Sequence, residues 1–369
     1  MVKDINKEPY DKATLAKLDI FEQYFIAWLP VFIYTPQIKK VTICDYFAGS
    51  GQDSEGLPGS PLRILKVINT FRVDILKKEF VIDVVLNEAR PNKSSELKKV
   101  VDNYFNKNGC VNTVTVSYPN KEFQCLFHEQ YDQLQKQPNL LFIDQYGIKE
   151  VNSEIFQMLI NLKKTDFLFF LSSSFIKRFI KMPEFKNHFP EIDIDKVKAL
   201  KYTDMHRFMV EHYKKLVPPN NDTKLYPYSL LKGSNIYGLV FGSKHPLGVQ
   251  KFLELAWNKY GPANFDIYND KEKQLPHLFD SLQGYEREKP KKEIYETELK
   301  NFILSKDEVT NREVWEFTLN MGHPKSHAKN CIAKLRKSNI IECDAQIGFS
   351  YETCIKNKKL KIIKAKRNG

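Results

Sequence analysis

The chain reads as an α/β protein: a doubly wound, mostly parallel sheet followed by a small, basic, helical domain. Three observations predict this. Strand-like and helix-like runs alternate from residue 41 to residue 174, and repeated β-α-β units build parallel sheets. The strand runs are continuously apolar rather than alternating, as expected for strands covered on both faces. The positive charge is gathered at one end. Of a net charge of +12, residues 320–369 supply 12 basic against 3 acidic side chains.

At 369 residues the chain is too long for one ordinary core. About 150 residues per domain predicts two or three. Charged residues make up 28%, and no uncharged apolar run reaches the ~18 residues of a membrane-spanning helix. The opening MVKDINKEPYDK lacks the apolar stretch of a secretory leader. Six scattered cysteines show no metal-ligand spacing, which fits a reducing compartment. A cytoplasmic protein without a membrane partner is the expectation.

Residues 12–28 carry apolar side chains at helical spacing and predict a helix ahead of the first strand. VTICDYF (41–47) is the first strand. SPLRILKVINTFR (60–72) is a helix with Ser60 as N-cap and Pro61 at its first position. FVIDVVLNE (80–88) is the second strand, followed by a helix over 94–107. NTVTVSY (112–118) is the third, followed by a helix over 121–134. NLLFIDQYG (139–147) is the fourth, a helix covers 153–162, and DFLFFLSSS (166–174) is the fifth. Residues 175–232 break this rhythm and predict a mostly helical insertion. A sixth strand over 235–243 and a helix over 248–260 follow. The charged stretch YEREKPKKEIYE (285–296), with Pro290, reads as a linker. Beyond it, three helical runs and a hairpin pattern predict a winged helix, with Gly322 in the turn and Pro324 opening the recognition helix.

Chemistry is expected at the carboxyl ends of the strands, where open α/β sheets bind ligands. Asp45-Tyr46-Phe47-Ala48-Gly49-Ser50-Gly51 ends the first strand. Its glycines allow close backbone approach to a ligand. Ser54 stands where a dinucleotide fingerprint has its third glycine, and no Gly-Lys-Ser/Thr follows, which argues against NAD and against ATP hydrolysis. Glu88 ends the second strand, and its two oxygens suit a ribose diol. Residues 52–59 between them form either a lid or a surface excursion. Asp144-Gln145-Tyr146-Gly147 ends the fourth strand. The Asp144 carboxylate and the Gln145 carbonyl could accept from an exocyclic amine whose ring stacks on Tyr146. Lys244 and His245 are minor candidates for the same rim. His323 and His327, four apart, have no visible third ligand, so no metal is expected. On the basic domain, Lys325, His327, Lys329, Lys334, Arg336 and Lys337 fall on or near the recognition helix and predict phosphate contacts.

Together the strand-end features resemble a class I S-adenosylmethionine-dependent methyltransferase. That resemblance implies that Asp45, Phe47, Ala48, Gly49 and Gly51 hold the cofactor's methionine part and Glu88 its ribose. Asp144, Gln145 and Tyr146 would face the methyl acceptor. The runs Asp45–Gly51, Gly59-Ser60-Pro61-Leu62, Phe142–Gly147 and Val240–Pro246 further resemble the three-Cys-motif partner (TcmP) family over roughly residues 12–260. Residues 310–342 resemble that family's C-terminal part. The family implies a methyltransferase-like protein encoded near mobile-element or phage-related genes, with a protein partner encoded nearby. Its usual Asp-Pro-aromatic-Gly is Asp144-Gln145-Tyr146-Gly147 here, so the φ fixed by proline is given up and a side-chain amide gained.

The resulting expectation is a methyltransferase-like domain over residues 1–285, with its insertion at 175–232, and a winged helix over 286–369. Its reaction would be methyl transfer from S-adenosylmethionine to an exocyclic amine of a DNA or RNA base. The alternative is a catalytically inactive nucleic-acid-binding or scaffolding subunit of a defence complex.

Overall fold

The computed structural model describes residues 8–172, 176, 179–180, 184–200, 204–232, 235–259 and 291–366. Two compact units divide the chain, 1–245 and 246–369.

The first unit opens with α1 (Lys12–Ile33), capped by the Asp11 side chain, which accepts from Thr14 N at 2.8 Å. The alternation then runs β1 (Lys40–Asp45), α2 (Ser60–Thr70), α3 (Arg72–Lys77), β2 (Val81–Leu86), α4 (Pro91–Asn108), β3 (Val114–Ser117), α5 (Phe123–Leu134), β4 (Asn139–Ile143), α6 (Ser153–Asn161) and β5 (Thr165–Ser172). Gly59, not Ser60, is the N-cap of α2, and Pro61 lies in its first turn. After β5 come α7 (Glu184–His188), α8 (Ile194–Ala199) and α9 (Met205–Lys215), then β6 (Lys224–Lys232) and β7 (Asn235–Ser243).

These strands form one seven-stranded sheet in the order β3-β2-β1-β4-β5-β7-β6. β7 pairs antiparallel with both β5 and β6, while β1 to β5 pair in parallel. The central strands are buried along their length, β4 throughout, which matches their unbroken apolar sequences. Their helix-side core includes Phe127, Leu141, Phe156, Phe169 and Tyr213.

The helical insertion expected over 175–232 is corrected at its end. Residues 224–232 are the edge strand β6. Pro227 lies within it, and an edge strand tolerates a proline because one side of its backbone needs no ladder bond. Leu225, Tyr226 and Tyr228 are buried. The strand expected as the sixth is therefore the seventh.

The second unit begins with α10 (Pro246–Lys259). There follow α11 (Lys291–Lys306), β8 (Glu308–Thr310), α12 (Asn311–Asn320), α13 (Lys325–Lys337), β9 (Ile341–Cys343), a short π-helical turn (Glu352–Lys356) and β10 (Ile362–Ala365). The strands make an antiparallel sheet ordered β8-β10-β9. Thr310 and Glu313 form a reciprocal capping box at α12. Gly322 takes a φ of 75° in the turn to α13, and Pro324 is that helix's N-cap. Trp315, Ile332 and Leu335 are buried.

Sequence analysis places α10 with the first domain, with a boundary at 285/286. In the structure the compact units divide at 245/246. Trp257 Nε1 donates to Gly322 O at 2.8 Å, and Gln250 Oε1 accepts from Trp315 Nε1 at 3.1 Å. The expected linker is corrected too. Its first residues lie outside the described ones, but Lys291–Glu296 are helical, in α11.

Candidate active site

The turn after β1 needs its glycines. Gly49 and Gly51 have φ of 60° and 86°, which L side chains rarely adopt. A Cβ on Gly51 would also meet Leu97 Cδ1 at 3.1 Å and Val100 Cγ1 at 3.2 Å. Phe47 is half-buried against Phe123, with ring centroids 5.5 Å apart, and Ala48 is buried. Asn87, which sequence reasoning missed, ties this turn to β2. Its N–H donates to Asp45 O and its carbonyl accepts from Ala48 N, both at 2.8 Å. Its side-chain amide donates to Tyr46 O and Lys121 O.

Residues 52–59 form a closed loop. Gly59 N donates to Gly51 O at 2.9 Å, and Asp53 N to Leu57 O at 3.1 Å. The Asp53 carboxylate accepts from the backbone N–H of Tyr10, Glu55 and Leu57. Desolvation works to raise its pKa, but these N–H bonds outweigh it and hold the carboxyl below the ordinary range. Of the two readings of this segment, the bonding favours a fixed surface excursion over a lid.

Asp45 is fully buried. Burial pushes its carboxyl up to about 7. Ser60 and the Phe47 N–H, which reaches Oδ1 at 3.2 Å, pull the other way; the charges of Asp144 and Glu88 add to the rise. Despite Ser60 nearby, no donor among the described residues completes a hydrogen bond to Oδ2. Glu88 is 6% exposed. Arg90 covers it, donating from N and Nε to Oε1 at 3.0 and 2.8 Å and from Nη2 to Oε2 at 3.2 Å.

Asp144 follows β4. Lys17 Nζ donates to its Oδ1 at 2.7 Å and its Oδ2 at 2.6 Å. The side chains of this pair are 8% and 18% exposed. Lys17 is placed by Phe21, one helical turn on, whose ring stacks on Phe142 at 4.2 Å. No sequence motif signals this residue, which lies 127 positions from its partner. The Gln145 side chain, expected to leave the turn looser than proline would, is buried and fixes it. Nε2 donates to Phe170 O at 3.0 Å, and Oε1 accepts from Glu150 N and Val151 N. Tyr146 stands 46% exposed.

The rim thus brings together Asp45, Phe47–Gly51, Glu88 and Asp144–Tyr146. Lys244 and His245 are not part of it. They follow β7, whose Gly242 pairs with Phe167 near the start of β5, so they lie at the opposite end of the parallel strands from the rim. Ser172 ends β5; Ser173 and Ser174 lie outside the described residues.

On the second unit, Lys329, Arg336 and Lys337 are exposed on α13. Lys325 pairs with Glu254 at 2.9 Å, and Lys334 with Glu296 at 2.8 Å. His327 turns inward. Its Nδ1 lies 2.8 Å from that of His323, and its ring packs edge-on to Trp257. His323 precedes α13 rather than sharing its face. Among the described residues, no three His, Cys, Asp or Glu side chains gather as a metal site would need.

A sheet ordered β3-β2-β1-β4-β5-β7-β6, with β7 alone reversed and acidic groups at the ends of β1, β2 and β4, defines a Rossmann-like methyltransferase fold. Here it is joined to a C-terminal winged helix. Residues 267–348 match the family model of the GMT-like wHTH domain. No curated protein matches the chain. Similar solved structures include the METTL16 MTase domain, 12% identical with a TM-score of 0.31, over 60% of this chain and 66% of that one. Another is the O-methyltransferase TomG from Streptomyces achromogenes in complex with SAM, 9% identical with a TM-score of 0.30, over 63% of this chain and 89% of that one. A third is the O-methyltransferase from Bacillus cereus in complex with SAH, 12% identical with a TM-score of 0.29, over 63% and 91%. The class assignment rests on the strand order. Among the described residues no helix is long and apolar enough to cross a membrane.

Proposed function

We propose that this chain is an S-adenosylmethionine-dependent methyltransferase acting on an exocyclic amine of a nucleic-acid base, DNA or RNA. The observation that carries the reading is the placement of three acidic side chains. Asp45 ends β1, Glu88 follows β2 and Asp144 follows β4, and these three strands lie side by side in parallel, so the carboxyl groups stand along one rim of the sheet. Such a rim suits a cationic ligand.

The residues present fit the cofactor. Asp45 Oδ2 is buried and lacks a donor, which suits a ligand ammonium. Gly49 and Gly51 leave room for backbone approach. Glu88 offers two oxygens to a ribose diol once Arg90 turns aside. When bound, the cofactor supplies an already activated methyl group, so little acid or base strength is asked of the protein. Asp144 would accept from the amine and orient its lone pair, Tyr146 would stack on the base, and Gln145 would hold both on a fixed loop. The winged helix would bring the polyanion through Lys325, Lys329, Lys334, Arg336 and Lys337. Membership of the TcmP family, a phage-defence or mobile-element setting and a protein partner encoded nearby belong to the same reading and rest on the sequence resemblance; a cytoplasmic location belongs to it too and rests on the scattered cysteines.

One observation favours a second reading, an inactive nucleic-acid-binding or scaffolding subunit: both Glu88 and Asp144 are already engaged by cations of the chain, Arg90 and Lys17. Isothermal titration with S-adenosylmethionine separates the two. Binding, followed by transfer of labelled methyl to DNA or RNA, supports the enzyme. Absence of binding leaves the scaffold.

A further inference from the structure

Lys17 is an amine held where an acceptor amine is expected. Both of its oxygen partners belong to Asp144, at 2.7 and 2.6 Å, and its Nζ lies 4.6 Å from the centroid of the Phe170 ring. Asp144 follows β4 directly, and the last rung between β4 and β5 is Ile143 with Phe169. Carboxylate and ring therefore stand side by side, each one residue past that rung. An N–H donor seated on a carboxylate and over an aromatic face is the arrangement a base amine would need there. The lysine is also held in place. Tyr10 N donates to Asp53 at 2.8 Å, and Phe21 stacks on Phe142. The segment carrying Lys17 thus spans from the loop after β1 to the loop after β4.

Resting on the proposed function, we propose that Lys17 is an internal occupant of the acceptor-amine subsite and is itself methylated when cofactor is bound without an external acceptor. The ammonium first passes one proton along its hydrogen bond to the Asp144 carboxylate. The freed Nζ lone pair forms a bond to the methyl carbon of S-adenosylmethionine. The carbon–sulfur bond breaks, and its electron pair stays on sulfur to give S-adenosylhomocysteine. Nζ keeps two protons as a methylammonium, and protonated Asp144 returns its proton to solvent. A nucleic-acid amine entering the site has to displace Lys17 from Asp144, so the lysine also sets a threshold that weak acceptors fail to meet.

The test uses the full chain in two arms. Without cofactor, an amine-acylating reagent with peptide mapping should modify Lys17 far more slowly than Lys66, whose side chain is 71% exposed. Asp144→Asn should abolish that protection. With methyl-labelled S-adenosylmethionine and no nucleic acid, the wild type should gain a methyl group on the peptide containing Lys17, and Lys17→Arg should gain none there. Equal acylation of Lys17 and Lys66 in the wild type overturns the occupancy. Cofactor binding by calorimetry with no methyl at Lys17 overturns self-transfer and leaves the proposed function standing. Absence of cofactor binding overturns both.

Discussion

His323 and His327 face each other through their Nδ1 atoms at 2.8 Å. The rings of Trp257 and Tyr295 lie against the pair, with Tyr295 stacked on His323 at 4.3 Å. One imidazole must donate and the other accept, so at least the acceptor ring has to be uncharged. Burial first, then neighbouring positive charge, holds both pKa values well below the ordinary histidine range.

That arrangement fixes the sign of a pH dependence. The unfolded imidazoles titrate near 6.5, whereas the folded ones resist protonation. The unfolded state therefore binds more protons at acid pH. Their contribution is complete above about pH 6.5 and is lost as pH falls, by up to about 1.4 kcal/mol per pH unit for each group. Chemical denaturation of the C-terminal unit, followed by tryptophan fluorescence at pH 7.5 and 5, should show this loss. His327→Gln should flatten it. An unchanged slope in that variant would place the acid sensitivity elsewhere.

Asp45 has the opposite sign. Its folded pKa of about 7 lies above the unfolded value near 3.9, so ionising it in place costs stability as pH rises from about 4 to 7. Asp45→Asn should raise the melting temperature at pH 8 and leave it nearly unchanged at pH 4, with a gain of order a few kcal/mol at most. The same change should weaken S-adenosylmethionine binding in calorimetry, a stability–function trade-off. A variant destabilised at pH 8 would contradict the burial argument.

Gln145→Ala should destabilise the first unit by about 2–3 kcal/mol, because it strips a donor from Phe170 O and an acceptor from two backbone N–H groups. Urea denaturation of the full chain measures this. A loss below about 0.5 kcal/mol would mean that the loop after β4 holds itself without the side chain.

On α13, Lys329, Arg336 and Lys337 are exposed, whereas Lys325 and Lys334 are engaged by Glu254 and Glu296. Changing the first three to Gln should lower the slope of log affinity against log salt for duplex DNA by about 3, at ~0.9 per lost phosphate contact. Changing the paired two should lower it less. Fluorescence anisotropy across a salt series reads both. Equal slopes in all variants would remove α13 from the interface.

The strand-end groups were legible in the sequence because local signals mark them. Asp45 and Glu88 close strand-like, largely apolar runs, and the glycines at 49 and 51 mark a turn that the structure builds with positive φ. The winged helix was legible from three helical runs and a hairpin pattern, with Gly322 and Pro324 marking the turn into the recognition helix. Lys17 was not, since only folding brings α1 to the end of β4 across 127 positions. Nor was the engagement of the Gln145 amide, whose partners are Phe170 on β5 and the Glu150 and Val151 N–H groups further along its own loop.

Sequence alone determined which segments are strands buried on both faces and where their carboxyl ends fall, because burial and turn chemistry are written in neighbouring residues. Tertiary structure alone decided which strands pair and that β7 runs against the others. Reversal of β7 carries Lys244 and His245 to the end of the sheet where the parallel strands begin, and edge placement lets Pro227 sit in a strand. Both outcomes depend on which strands lie side by side, a relation between distant segments that no local pattern encodes.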